Sequence, residues 1–124
     1  MKKFKILTET FQIIADIYET RTAQAIEKQL PLSATVNTWG EEIYFSIPVH
    51  LDQEADAREE VEPGELGYWP VGNAFCIFFG PTPVSSDDKP RAYSPVNVFG
   101  KISGNLDKLK SIKSGAKIIV DLAE

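Results

Sequence analysis

The chain has 124 residues, 43% of them hydrophobic and 25% charged, a size and balance at which residues 1–124 can form a single domain around one core. Its formal net charge of −5 argues against a phosphate-binding surface, so no nucleic-acid partner is expected. The single cysteine, Cys76, excludes an internal disulfide and suits a reducing compartment; with no leader-like start and no apolar run near the ~20 residues of a membrane span, a cytoplasmic protein without a membrane partner is expected.

In chain order, FKILTETFQIIADIYE reads as two strands broken near Thr8–Thr10, with the β-branched and aromatic content of a half-buried sheet. TRTAQAIEKQLP reads as a helix capped by Thr20 or Thr22, with Ala23, Ile26 and Leu30 on one face, ended by Pro31. SATVNTWGEEIYFSIPV reads as strand, tight turn at Gly40, strand. The acid-rich segment from Asp52 to Glu65 reads as a solvated loop. ELGYWPVGNAFCIFFG reads as a hairpin turned at Val71–Asn73, PTPVSSDDKPRAYSP as a polar loop, and VNVFGKI as a strand. GNLDKLKSI reads as a short helix capped by Asn105, and AKIIVDL as a closing strand. AFCIFF and KIIVDL lack alternation and are expected to be covered on both faces. Many short strands with two brief helices point to a mainly β barrel or sandwich.

The chemistry-bearing residues are few. Trp39, Tyr68, Trp69, Phe75, Phe79 and Tyr93 lie near strand ends and turns, where they either pack the core or line a pocket. Tyr68 and Trp69 are adjacent, so in a strand they face opposite ways. Glu41 and Glu42 follow the Gly40 turn, either as an exposed pair or as carboxylates that share a proton or a cation. Asn97, between two valines, is a structural tie or a ligand contact. Thr82, Ser85 and Ser86 edge a proline-stiffened loop. His50 is the only histidine and has no companion ligands; the acids after it lack calcium-loop spacing, so no metal and no cofactor are expected.

Three motifs carry a resemblance: WGEEIYFSIPV (Trp39–Val49), GELGYWPVGNAFCIFFGPTP (Gly64–Pro83) and SPVNVFGKI (Ser94–Ile102). With them the chain resembles the small bacterial and archaeal cyclophilin-like domains of uncharacterised function, and Phe99-Gly100-Lys101 is similar to the cyclophilin Phe-Gly-Lys strand. The resemblance implies a closed β-barrel of about eight strands with two short helices at its ends.

The resemblance also sharpens the question of activity. Prolyl isomerisation must lower a barrier of ~18–20 kcal/mol about an amide, which cyclophilins do with an arginine in Phe-x-Arg and a glutamine in Phe-x-x-Gln-Gly-Gly. Here the arginine position falls at Tyr68 or Trp69, and Ile77–Gly80 holds no glutamine. The histidine position is Val96, and a gap-free count puts Arg91 at the tryptophan. The expectation is therefore a domain without the usual catalytic set, binding a small molecule or extended peptide at an aromatic-edged groove. The candidates are Trp39, Glu42, Tyr68, Trp69, Phe79, Arg91, Tyr93 and Asn97. An atypical prolyl isomerase using Arg91, and an enzyme with Glu42 as acid/base, are the alternatives.

Overall fold

A computed structural model describes residues 2–123. The chain opens with a hairpin of β1 (Lys3–Leu7) and β2 (Gln12–Ile17), turned where the Thr8 hydroxyl accepts a hydrogen bond from the Phe11 N–H at 3.0 Å. Helix α1 (Arg21–Glu27) begins where Thr20 Oγ1 accepts from the Ala23 N–H at 3.0 Å, satisfying one of the free N–H groups of a first turn. It turns Thr22, Ala23 and Ile26 into the core.

Next come β3 (Leu32–Thr35), β4 (Asn37–Thr38) and β5 (Glu42–Ser46). The turn between β4 and β5 passes through Gly40 at φ 60, a left-handed conformation that a side chain disfavours. The rest of the chain forms β6 (Arg58–Glu60), β7 (Glu65–Trp69), β8 (Ala74–Phe78), β9 (Arg91–Ile102), a 3-10 turn (Asp107–Ser111) and β10 (Lys117–Ala123). No described helix is long and apolar enough to cross a membrane.

All pairings are antiparallel, in the order β3-β10-β1-β2-β9-β7-β8-β5-β4, with β6 added to β9. The fold is mainly β as expected, but its ten strands do not form a closed eight-stranded barrel. The edge strands β3 and β4 are separated in the chain by Val36 alone. The sheet therefore curls until its two edge strands meet at that residue, with no ladder joining them. The inner face holds the main core, from Phe4 and Ile6 through Phe45, Tyr68 and Phe75 to Phe99 and Val120. A second, smaller cluster of Val61, Ala74, Cys76, Phe78, Ala92 and Val96 lies on the outer face.

Four local expectations need correction. The acidic 52–65 segment is not all loop: Arg58 pairs with Glu65 at 3.1 Å, Glu65 also accepts from the Glu62 N–H at 2.8 Å, and Val61 is buried in the outer cluster. The backbone ladder joins β6 to β9, while Arg58 ties it to Glu65 of β7 and Val61 anchors the chain just beyond it. Strand β9 starts at Arg91 rather than Val96, because its first half pairs with β6. The second expected helix is a single 3-10 turn, enough to bury Leu109, with Asn105 Oδ1 accepting from the Asp107 N–H at 2.7 Å. AFCIFF is covered on both faces as its pattern predicts, but KIIVDL is not: Ile119 and Leu122 are 44% and 41% exposed. Strand β10 lies among β1 and β3, away from the outer cluster.

Candidate functional site: an aromatic pocket on the outer face

Strands β5, β8, β7 and β9 are neighbours, and alternation sends every second side chain outward. On β5 these are Glu42 and Tyr44, while Ile43 and Phe45 join the inner core. Tyr44 stands opposite Cys76 on β8, and Cys76 opposite Gly67 on β7. Trp69, Ala92 and Val96 complete the surface. A Cβ on Gly67 would stand 2.8 Å from Val96 Cγ2, so the missing side chain lets β9 approach closely.

Between these strands lies a pocket of about 230 Å³, lined by Trp39, Glu42, Tyr44, Trp69, Cys76, Ala92, Tyr93 and Val96. Its rim is aromatic. Tyr93 meets Trp39 edge-on at 6.1 Å and 70°, and Trp69 at 6.2 Å and 82°. Trp69 is held from two sides. Its Nε1–H donates to Ser94 Oγ at 2.6 Å. Its six-membered ring lies over the β7–β8 turn, where a Cβ on Gly72 would come within 2.7 Å of it. Asn73, at φ 49, takes the left-handed position of that turn. Tyr93 is 71% exposed, an unusual exposure for an aromatic residue facing two others.

Glu42 is the one formally charged residue lining the pocket, and it is only 6% exposed. Burial raises its carboxyl from 4.5 to about 7, and the neighbouring Cys76 thiol partly opposes the rise. Burial likewise pushes the Cys76 thiol well above its ordinary value, with the Glu42 carboxyl adding to the effect. Among the described residues, no lysine, arginine or histidine lines the pocket. Glu41 faces away, beside Phe79 in a separate shallow groove, so the two glutamates do not form one site.

Four of the expected site residues thus come together: Trp39, Glu42, Trp69 and Tyr93. The other four lie elsewhere. Tyr68 is fully buried in the inner core, where its hydroxyl donates to Val49 O at 2.6 Å and accepts from the Leu51 N–H at 3.2 Å. Phe79 belongs to the same core. Asn97 is a tie: its Oδ1 accepts from the Glu54 N–H at 2.8 Å, and its Nδ2–H groups donate to Asp52 O at 3.0 Å and Thr22 Oγ1 at 3.2 Å. Arg91 Nη2 pairs with Glu59 at 2.6 Å, and Arg91 is not among the pocket's lining residues. Of the loop hydroxyls, Thr82 donates to Arg91 O and Ser85 to Lys89 O, bracing the loop.

Tyr44, Cys76, Ala92 and Val96 were not foreseen as lining residues. Tyr44 was within reach of sequence reasoning, since it shares Glu42's face two residues on. Cys76 required the register across β5 and β8, which no local pattern specifies.

Compared with known proteins, residues 2–121 match the family model described as Cyclophilin-like. A hypothetical protein from Archaeoglobus fulgidus, known from a solution structure, is 38% identical. The alignment covers 98% of this chain and 95% of that one, with a TM-score of 0.83. No curated protein matches.

Proposed function

The chain belongs to the cyclophilin-like family, and on that premise we propose that it is a binding domain whose outer pocket receives a small molecule or one residue of an extended peptide. Trp39, Trp69 and Tyr93 supply the contact surface, and Glu42 supplies the polar anchor. The observation that carries this reading is Glu42 itself. A carboxyl taken out of water without strong partners is costly, and a strongly perturbed group in a cleft is a mark of function. Aromatic rings around a few convergent polar groups are the usual make-up of small-ligand sites. The volume of about 230 Å³ suits one compact group.

Trp39 and Trp69 are the only two tryptophans, so their emission reports on this pocket alone. A fragment screen by thermal shift and tryptophan emission tests the reading. Ligands that raise the melting temperature by mass action are expected to change the emission and to lose both effects in Trp39→Ala. Ligands indifferent to that substitution, or a screen without any, would contradict it.

The atypical isomerase reading has less support. An arginine acting on a prolyl amide needs its guanidinium free to donate to the substrate, whereas Arg91 is paired with Glu59 and approaches Glu60 at 3.9 Å. A protease-coupled proline-peptide assay should find no turnover that Arg91→Ala removes. The acid/base reading draws on Glu42 near neutrality, but the Cys76 thiol beside it is itself held protonated.

A further inference from the structure

Building on the reading of this pocket as a binding site, we infer that its ligand is a small alkylated ammonium ion, seated among the rings of Trp39, Trp69 and Tyr93 with its charge towards the Glu42 carboxylate.

Each wall of the pocket contributes to this assignment. An aromatic ring carries negative potential on its face, and crossed rings offer a cation several such surfaces at once. Tyr93 stands nearly perpendicular to both Trp39 and Trp69 at about equal distances, 6.1 Å and 6.2 Å. Tyr44 adds a fourth ring. A neutral apolar ligand would use these rings but leave a buried carboxyl idle beneath it. A hydrogen-bonding neutral ligand would engage the carboxyl but not the ring potential. An anion would be repelled by both. Only an organic cation matches the rings and the carboxyl together, and alkyl groups on the nitrogen replace water by contacts that an apolar pocket can supply. The chain's net charge of −5 favours the approach of such an ion.

Binding is coupled to one proton. The groups facing Glu42 that could titrate are the Cys76 thiol on β8 and the Tyr44 and Tyr93 phenols on β5 and β9; none of the pocket's residues is cationic. The entering ammonium ion therefore supplies the missing counter-charge. The Glu42 carboxylic acid gives up its proton to solvent and becomes the carboxylate partner of the ion.

The test compares choline with 3,3-dimethylbutan-1-ol, in which a carbon atom replaces the ammonium nitrogen. Tryptophan emission and thermal shift are read from pH 5.5 to 8. Choline is expected to bind more tightly than the alcohol at pH 8, and to weaken about tenfold or more by pH 5.5 as Glu42 regains its proton. The alcohol should show no such dependence. Glu42→Gln should abolish the pH dependence and weaken choline at least tenfold at pH 8, and by a clearly larger factor than the alcohol. Should that variant fold poorly, Tyr93→Leu at an exposed position should weaken choline more than the alcohol. Equal or tighter binding of the alcohol at pH 8 would overturn the cation assignment and leave the pocket as a site for neutral ligands. Binding of neither probe would also overturn it, and the fragment screen then decides the fate of the pocket itself.

Discussion

The two faces of the β7–β8 hairpin are built from alternate residues of the same two strands, yet they meet opposite demands. Inward, Phe75 stacks on Phe45 at 5.0 Å and meets Phe99 edge-on at 5.1 Å, and the Tyr68 hydroxyl has backbone partners on Val49 and Leu51. Outward, Trp69 and Cys76 border an open pocket that also holds a largely buried carboxyl, with the Cys76 thiol and the Tyr44 and Tyr93 phenols around it. Interiors are close-packed, and buried polar groups are normally paired. The inner face is filled throughout, whereas the outer face combines a small buried cluster with an open pocket beside a largely buried carboxyl. That contrast distinguishes the core from the site, although both are rich in aromatic residues.

Substitutions on the two faces should therefore differ in kind. The largest effect is expected inside. Phe75→Ala should cost about 3–5 kcal/mol, seen as a lower urea midpoint; a loss below about 1 kcal/mol would mean that the inner packing is loose. Outside, Glu42→Gln should act in the opposite direction and depend on pH. The folded carboxyl keeps its proton up to about pH 7, whereas the ordinary value is 4.5. The contribution of Glu42 to wild-type stability is thus fully present below about pH 4.5 and is lost as pH rises towards 7. At pH 8 the variant should be the more stable protein, by up to about 3 kcal/mol, and near pH 4 the difference should vanish. Parallel stability profiles for the two proteins would count against a buried carboxyl.

Smaller effects refine the contrast. Tyr68→Phe strands the Leu51 N–H and Val49 carbonyl, at a cost of about 1–3 kcal/mol, and should leave tryptophan emission alone. Ser94→Ala removes the hydrogen bond to Trp69 and should cost about 1 kcal/mol while visibly shifting that emission. The reverse assignment of spectral changes would show that the faces have been confused.

Much of the fold was legible in the sequence because it rests on local rules. The Thr20 cap, the Gly40 turn and the two-sided burial of AFCIFF follow from hydrogen-bonding chemistry, backbone freedom and hydrophobic pattern. What escaped depends on pairing between distant segments. Strand β6 pairs with the distant β9 and is braced by Arg58 on Glu65 and by Val61 in the outer cluster, contacts that the acid-rich composition conceals. For the site, the opposite facing of Tyr68 and Trp69 was predictable. Which of them faces the core was not, since each is large and has a polar tip that can find a partner. Arg91 was the natural choice for chemistry on residue type alone; the carboxylates of β6 that occupy it come from more than 30 residues earlier in the chain.

The most direct test of this contrast is a carbon-13 NMR titration of the Glu42 side-chain carboxyl, assigned by its disappearance in Glu42→Gln. The outer-face account predicts a midpoint near 7 in the ligand-free protein. A midpoint near 4.5, like that of a solvated glutamate, would contradict it and remove the basis for a functional pocket on the outer face.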